Sequence, residues 1–541
     1  EYPVSCDRMD EQGSGVVYLE GEKLPVDGLL PGEQAVVEVF GKRNLHARLL
    51  QIKKASSKRV KPQCPAFAKC GGCKMQHLQY DSQLEWKQKT VEQLMKRYID
   101  EGAKLYQIVG MVEPWRYRNK CHISFGMNGR RQIISGIYEE NSHRVVPVES
   151  CLIQDSKADE IARSVRAIMK ECKLLPYDED SETGLLRHLL VRRASRTGEI
   201  LAALVTTTQQ EVDLESWKER LLSLPLNGKF AGILHITNDS MSDAVKCDSS
   251  EILYGRDYFY EELLGLKFRI STFSFFQTNT CGAEVLYETA REYVGSLVKE
   301  EGKPDSIVYD LYSGTGTIAQ LMAPVAKKVI GVEIVEEAVV AARENAKQNG
   351  LENCEFIAGD VLKVLDEIEE KPDFIILDPP RDGVHPKALS RIIGYGVEKL
   401  VYISCKPTSL ARDLEIFIAN GYEVQRCVPV DQFPWTTGIE TVVLLSKGEV
   451  DSKKIRVEFS LEDMDMSEFQ DGATYTQIKD YVLEHSGLKV SNLYISQIKR
   501  KCGIEVGKNY NLPKSEDSRQ PQCPPEKEAA IMDALKHFQM I

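Results

Sequence analysis

A cysteine stands at the end of a short apolar run, in the sequence Leu-Val-Tyr-Ile-Ser-Cys-Lys-Pro from Leu400 to Pro407. The run is rich in strand-forming residues, and Pro407 stops it soon after Cys405. In an open α/β sheet, ligands gather outside the carboxyl ends of the strands. The pattern therefore predicts a thiol presented to a ligand. The alternative, for one cysteine among 14, is packing as a small buried hydrophobic residue.

Carboxylates follow three predicted strands earlier in the chain, at Glu333, Asp360 and Asp378. Before them, the glycine-rich segment from Tyr312 to Thr317 joins a predicted strand to a helix. Glycines let the backbone pass close under a ligand, and a helix N-terminus then faces it. Glu333 lies about twenty residues after this loop, where an acidic side chain can accept hydrogen bonds from ribose hydroxyls. The alternation of strands and helices over 273–448 predicts a Rossmann-like, nucleoside-binding parallel sheet.

Both NAD and S-adenosylmethionine bind to sheets of this kind. The loop lacks the third glycine that a dinucleotide pyrophosphate usually needs. Carboxylates at three successive strand ends would also repel phosphate. A cationic cofactor without phosphate suits them better, so we favour S-adenosylmethionine over NAD.

The turn Asp-Pro-Pro-Arg, from Asp378 to Arg381, bears on the methyl acceptor. Methyltransferases that act on exocyclic amines commonly place an aromatic ring after the prolines, where this chain has arginine. A nearby thiol suggests carbon 5 of a pyrimidine, which becomes nucleophilic when a thiolate adds to carbon 6. A base must then remove the carbon 5 proton. Glu440, which follows Phe433-Pro434 and enters an apolar strand, is the best placed candidate.

Three cysteines lie close together at Cys64, Cys70 and Cys73, ahead of a long predicted helix. Thiols at this spacing can converge on one metal centre. We expect Cys151 to supply the fourth thiol, because Cys121 lies inside a predicted strand. Four thiolates suit zinc or an iron–sulfur cluster, and the spacing does not choose between them.

Local charge differs from overall charge in this chain of 541 residues. The net charge of −12 argues against a nucleic-acid partner, but residues 41–62 hold eight lysines or arginines and no carboxylate. Short alternating runs broken by glycines over 13–60 predict a small antiparallel barrel that carries these charges. Such a basic module, with further arginines interleaved with aromatic residues, suits RNA. No apolar run approaches the length of a membrane span, so we expect a cytoplasmic protein. We also expect a monomer.

These motifs together resemble the RNA uracil-C5-methyltransferases. The resemblance rests on Phe-Phe-Gln-Thr-Asn at 275–279, Asp-Pro-Pro-Arg at 378–381, Ser-Cys-Lys-Pro at 404–407, and Phe-Pro at 433–434 followed by Glu440. The barrel resembles the TRAM RNA-binding domain, and the four-cysteine pattern resembles the iron–sulfur site of the branch that modifies 23S ribosomal RNA. We therefore expect an α/β protein with a TRAM (OB-like) β-barrel at 1–62, an α+β central domain at 63–272, a Rossmann-like methyltransferase domain at 273–448 and a small α+β extension at 449–541.

The resemblance also implies roles for individual residues. Cys405 would be the nucleophile and Glu440 the base. The cofactor would be bound by Gln277, Tyr312, Glu333 and Asp378, with Thr317 and Asp360 as weaker candidates, and a [4Fe-4S] cluster by Cys64, Cys70, Cys73 and Cys151. Family members often carry histidine two residues before the base, where this chain has Gly438.

Two alternatives remain open from the sequence. The same reaction could act on the T-loop of transfer RNA, or the protein could be a non-catalytic RNA-binding factor of ribosome assembly. The extension lies outside the resemblance. Its pattern predicts a charged strand-like run at 455–459 and two helices, 475–485 and 491–502, which suit either a plain packing appendage, the favoured interpretation, or a winged-helix-like nucleic-acid module.

Overall fold

The computed structural model describes residues 1–19, 21–41, 45–179, 181–240, 247–300, 305–448, 475–486, 488, 490–502 and 523–537. The chain divides into two compact units, Glu1–Lys454 and Ile455–Ile541. The strand-like run expected at 455–459 lies outside the described residues. Within the described part, no helix is both long and apolar enough to cross a membrane.

The first strands form two small antiparallel sheets. One has the order β1-β5-β6 and the other the order β2-β3-β4. Alternating apolar residues such as Val4, Val17, Val26 and Val37 face a shared core, as the period of two in the sequence predicts. The strands are β1 (Tyr2–Ser5), β2 (Arg8–Met9), β3 (Gly15–Leu19), β4 (Glu22–Val26), β5 (Gln34–Phe40) and β6 (His46–Lys54).

A long helix, α1 (Tyr80–Asp100), follows the cysteine-rich segment. Its apolar side, with Val91, Met95 and Tyr98, joins the hydrophobic core on one face of the large sheet described below. Because these positions are spaced at three or four residues, they lie on one side of the helix. The helix therefore connects the segment after the cysteines to the methyltransferase region.

A seven-stranded sheet of order β10-β9-β8-β11-β12-β13-β14 follows. Its pairs are antiparallel except for the parallel pair β12 and β13. Two helices, α2 and α3, cover one face of this sheet. A separate hairpin, β15 and β16, leads directly into the segment that carries Gln277. The elements are β7 (Lys104–Leu105), β8 (Lys120–Met127), β9 (Ile133–Tyr138), β10 (Val145–Pro147), α2 (Ser156–Glu171), β11 (Leu186–Arg193), β12 (Glu199–Thr206), α3 (Leu214–Leu222), β13 (Lys229–Thr237), β14 (Ser249–Gly255), β15 (Tyr258–Leu263) and β16 (Leu266–Ser271).

An eight-stranded sheet of order β19-β18-β17-β20-β21-β23-β22-β7 carries the predicted catalytic residues. Its first five strands run parallel, whereas β23 is antiparallel to both β21 and β22. Hydrophobic cores cover both faces, which explains the continuous apolar strands. The elements are α4 (Thr280–Glu300), β17 (Ile307–Leu311), α5 (Thr317–Met322), β18 (Lys328–Glu333), α6 (Glu336–Gln348), β19 (Cys354–Ala358), α7 (Val361–Val364), β20 (Phe374–Leu377), α8 (Pro386–Gly394), β21 (Lys399–Ser404), α9 (Pro407–Ala419), β22 (Tyr422–Val430) and β23 (Glu440–Lys447).

The second unit holds three described helices, α10 (Tyr475–Ser486), α11 (Asn492–Lys501) and α12 (Pro525–His537). Their shared core includes Ile478, Val482, Ile495, Ile498 and Ile531. The first two helices agree with the sequence expectation, and the third was not expected. Its sequence is rich in alanine and charged residues, so its apolar stripe is short.

Candidate active site

Cys405 and Glu440 come together because of strand register. Ser404 at the end of β21 pairs with Thr441 in the antiparallel strand β23. Each candidate residue is the next one toward the same end of the sheet, so the two are neighbours across the ladder. Asp378 follows β20, which lies parallel to β21 on its other side. The structure thus brings the predicted nucleophile, the predicted base and a predicted cofactor ligand to one sheet edge.

Burial is the main cause of the pKa shifts of the side chains at this sheet edge. Glu440 is 3% exposed, and burial together with the charge of Asp378 raises its pKa well above the ordinary value, while Arg381 opposes the shift. Burial raises the pKa of Asp378 to about 7. Burial, Glu440 and Asp378 also raise the pKa of the Cys405 thiol to about 11, against the lowering effect of Arg381. These three groups therefore favour their neutral forms in the free protein, and a cation bound beside them would favour their charged forms.

Glu333 organises the glycine-rich loop. Its Oε2 accepts a hydrogen bond from the Gly314 amide at 3.0 Å, and its Oε1 accepts one from the Val335 amide at 3.0 Å. Tyr312 has a φ of 69°, and its amide donates to the Val332 carbonyl at 3.0 Å. A tyrosine backbone in the left-handed region is uncommon, so contacts within the loop stabilise a conformation that tyrosine by itself disfavours.

Gly316 shows why this loop needs glycine. Its φ is 76°, and a Cβ at this position would lie 2.6 Å from Cε1 of Phe356. The residue precedes Thr317, which is buried and begins α5. The packing of the loop against β19 therefore excludes a side chain here.

The remaining predicted cofactor ligands differ in the hydrogen bonds that they make within the chain. Gln277 is 8% exposed, and its Oε1 accepts a hydrogen bond from Nε2 of Gln432 at 3.3 Å. Asp360 caps α7, because its Oδ1 accepts from the Leu362 amide at 2.9 Å. One oxygen of Asp360 is thus engaged within the chain, and its role as a cofactor ligand stays a prediction.

Two buried side chains at this edge were missed in the sequence. Asp310, in β17, is fully buried, and its Oδ2 accepts from the Ala319 amide at 2.9 Å, whereas its Oδ1 has no partner. Tyr287, in α4, is 4% exposed, and its hydroxyl hydrogen-bonds the Gln277 side chain and feels the charges of Asp378 and Glu440. An acidic residue inside an apolar strand was the available signal for Asp310. No sequence signal separated Tyr287 from an ordinary core residue.

The four predicted metal ligands meet at one cavity. Cys64, Cys70, Cys73 and Cys151 all line it, together with apolar side chains that include Phe67, Ile137, Val148 and Ile153. Cys121 does not line the cavity but is buried in β8. As placed, the His, Cys, Asp and Glu side chains of the described residues form no group of three or more that could hold a metal ion. The donor set of four thiols in an apolar cavity is nevertheless the chemistry that soft metal centres require.

Comparisons with known proteins identify the family to which the chain is similar. The family model of tRNA (uracil-5-)-methyltransferases matches residues 79–448. An uncharacterized RNA methyltransferase of Clostridium tetani is 42% identical over 451 residues, which are 83% of this chain and 98% of that protein. Another, from Caldanaerobacter subterraneus subsp. tengcongensis, is 43% identical over 450 residues, which are 82% of this chain and 98% of that protein.

A solved structure extends the likeness to most of the fold. The tRNA (uracil-54, C5)-methyltransferase of Pyrococcus abyssi, in complex with S-adenosyl-L-homocysteine, is similar with a TM-score of 0.66 and 25% identity. The match covers 82% of this chain and 100% of that one. The family match spans more than half of the chain and includes all the strands of the eight-stranded sheet. The chain therefore belongs to the tRNA (uracil-5-)-methyltransferase family, whose members methylate RNA with S-adenosylmethionine.

Proposed function

We propose that this protein methylates carbon 5 of a uridine in RNA, with Cys405 as the nucleophile and Glu440 as the base. The observation that carries the proposal is the pairing of Ser404 with Thr441, which makes the thiol and the buried carboxyl neighbours. Asp378 and Arg381 complete the charged surroundings of both groups. A thiol beside a base at the carboxyl end of a nucleoside-binding sheet suits addition to a pyrimidine.

The reaction divides between the two residues. The Cys405 thiolate forms a bond to carbon 6, and the electron pair of the carbon 5–carbon 6 double bond becomes the nucleophile at carbon 5. S-adenosylmethionine supplies the methyl group, and its positively charged sulfonium becomes a neutral thioether. The Glu440 carboxylate then removes the carbon 5 proton, the double bond re-forms, and the bond from carbon 6 to Cys405 breaks to return the thiolate. The proton taken from carbon 5 passes from Glu440 to water, so that atoms and charge balance without a further reactant.

The acidic character of the edge supports a sulfonium cofactor. Burial raises the pKa of Asp310 and of Asp378, so each carboxylate lacks a compensating cation in the free protein. We assign cofactor binding to Gln277, Tyr312, Glu333 and Asp378, with Thr317 and Asp360 in secondary roles. The positive sulfonium would lower the pKa of the Cys405 thiol as well.

We favour 23S ribosomal RNA as the substrate. The support is the basic strand region of the N-terminal sheets, which resembles a TRAM (OB-like) barrel, and the four-cysteine site. A uridine inside a duplex cannot reach a sheet edge, so it would be flipped out or come from a loop. Transfer RNA is the second candidate, because the similar Pyrococcus abyssi enzyme acts on uracil 54 of tRNA. A cytoplasmic, monomeric protein fits either substrate.

We assign a [4Fe-4S] cluster to Cys64, Cys70, Cys73 and Cys151, with zinc as the alternative. The support is that all four thiols line one largely apolar cavity. Such a cluster would supply a structural centre away from the cofactor residues. A broad visible absorption band in protein purified without oxygen supports the cluster, and a colourless protein that contains zinc would reject it.

Two variants test the catalytic assignment. Cys405→Ala should abolish methyl transfer while RNA binding persists, because only the nucleophile is lost. Cys281→Ala is the matched control, since Cys281 is exposed at the start of α4. Full methyl transfer by Cys405→Ala would refute the mechanism. Mass mapping of 5-methyluridine in ribosomal and transfer RNA, from cells with and without the protein, identifies the substrate.

A further inference from the structure

The residues between β22 and β23 form a loop that ends at the proposed base. This segment, residues 431–439, is called the base loop. Val430 pairs with Glu440 across the two strands, so the loop begins and ends beside Glu440. Its conformation therefore governs how the base enters the active site.

Lys87, in α1, holds both ends of the base loop. Its ammonium donates to Oδ1 of Asp431 at 2.5 Å and to the Gly438 carbonyl at 2.9 Å. It also donates to the Phe433 carbonyl at 3.2 Å. An ammonium group has three donors, and all three are directed at the base loop from a helix more than three hundred residues earlier in the sequence.

The pair is sealed from water and fully bonded. Neither the Lys87 nor the Asp431 side chain is exposed. The second oxygen of Asp431 accepts from the Tyr80 hydroxyl at 2.7 Å, and the Tyr80 oxygen accepts from the Met111 amide at 2.8 Å. Every strong donor and acceptor of the pair is thus engaged by a defined partner.

Stability alone does not explain such a pair. Removing two charges from water is energetically costly, and apolar residues of similar volume often stabilise a protein equally well or better. A lysine that ties Asp431 to the Gly438 carbonyl instead specifies one geometry for the loop. Gly438 is two residues before Glu440 and stands where family members often carry histidine, so the backbone there is held from α1.

We propose that Lys87 is a positioning residue for the base: it fixes the base loop so that Glu440 is aligned to remove the carbon 5 proton. This inference rests on the proposed function of Glu440. The charges that act on the Glu440 carboxyl are those of Asp378 and Arg381, so Lys87 acts through the loop backbone. Addition of the Cys405 thiolate to carbon 6 uses no side chain of the base loop, whereas removal of the carbon 5 proton uses Glu440 at the end of the loop.

The test separates these two steps. Lys87→Met combined with Asp431→Asn removes the tie without leaving an unpaired buried charge. The variant is incubated with a uridine-containing RNA and S-adenosylmethionine. It should accumulate at least about tenfold more covalent RNA adduct than the unmodified protein, because a displacement of the base by about 1 Å can slow its step by about 100-fold. The rate of adduct formation should stay within about twofold, on the expectation that addition by Cys405 is independent of the tie. Lys96→Met is the matched control, since Lys96 lies on the same helix and makes an exposed pair with Asp100.

Thermal unfolding establishes that each variant is folded. If the variant with Lys87→Met and Asp431→Asn does not fold, a variant with Lys87→Gln and Asp431→Asn keeps polar atoms at both positions. It should show the same accumulation of covalent RNA adduct. A folded variant with adduct levels and turnover like the unmodified protein would overturn the inference. Failure of both pairs to fold would assign Lys87 to folding and would also overturn it. Glu440→Gln is measured in parallel: if it traps no adduct and the unmodified protein transfers no methyl group, the proposed function itself is wrong.

Discussion

At the scale of single residues, the thiol of Cys405 is distinguished by its surroundings and not by its exposure. Other cysteines of the chain are equally accessible or more so. Cys405 alone lies at the strand end where Glu440, Asp378 and Arg381 all act on its charge. Its proposed role could be inferred from sequence because the residues of the motif, Ser404 to Pro407, are contiguous.

Alkylation of Cys405 should depend steeply on pH in the free protein. Since its pKa is about 11, the reactive thiolate should increase about tenfold per pH unit between about pH 7 and 9. Iodoacetamide labelling followed by peptide mass spectrometry measures the rate, with the exposed Cys172 as the reference peptide. Labelling of Cys405 that is already maximal at pH 7 would contradict the assigned surroundings.

Asp310, Tyr287 and Lys87 could not be assigned from the sequence. Each depends on contacts between distant segments, such as the bond from Lys87 to Asp431. The hydrophobic pattern predicts that such positions are inside, because it reports burial. It does not predict the polar partner that each one meets there.

At the scale of structural elements, the base loop connects the cysteine site to the methyltransferase sheet. The Trp435 carbonyl accepts hydrogen bonds from the amides of Lys74 and Met75, at 3.0 and 3.1 Å, directly after Cys73. The Trp435 ring stacks on Trp115 with centroids 4.0 Å apart. The segment that carries the cysteines is therefore part of the support of the loop before Glu440.

Loss of the proposed cluster should loosen the base loop. Cys73→Ser removes a proposed ligand one residue before the amides that bind the Trp435 carbonyl. Amide exchange in residues 431–439 should therefore become about tenfold faster, which corresponds to a decrease of about 1.4 kcal/mol in the free energy of local opening. Hydrogen exchange with mass spectrometry measures this effect. Cys354→Ser, in β19, is the control, and equal exchange in both variants would show that the two regions are uncoupled.

The strands of the methyltransferase sheet could be predicted well because they are buried on both faces and read as continuous apolar runs. The positions of β22 and β7 at one edge of the sheet could not, since β7 is a pair of residues, Lys104–Leu105, with no pattern of its own. The local sequence predicts whether a segment forms a strand, whereas the position of that strand in the sheet depends on its pairing with distant segments.

At the scale of the whole molecule, the active site lowers stability at neutral pH. Asp378 has a pKa of about 7 in the folded chain against an ordinary value of 3.8. Between these values the folded state binds more protons than the unfolded state, so the free energy of unfolding falls as pH rises. Each unit of such a shift corresponds to about 1.4 kcal/mol. The ionised form of Asp378, which a cationic ligand requires, is thus reached at a cost to the stability of the free protein.

Two pH dependences should follow with opposite signs. Without cofactor, ionisation of Asp378 should lower its own contribution to the free energy of unfolding between pH 5.5 and pH 8, so Asp378→Asn should gain stability relative to the unmodified protein in urea over this range. The affinity for S-adenosylmethionine should instead increase over the same range, because the carboxylate becomes charged. Calorimetric titration measures the affinity, and a cofactor affinity that decreases with pH would contradict the role of Asp378.

The proposed covalent bond between uridine and Cys405 can be measured directly. Glu440→Gln should be incubated with S-adenosylmethionine and a uridine-containing RNA, and the protein should then be digested with nuclease and protease for mass spectrometry. We expect a methylated uridine joined to the peptide that contains Cys405, with turnover reduced by about 100-fold or more. A uridine joined to any other residue, or full turnover with no adduct, would contradict it.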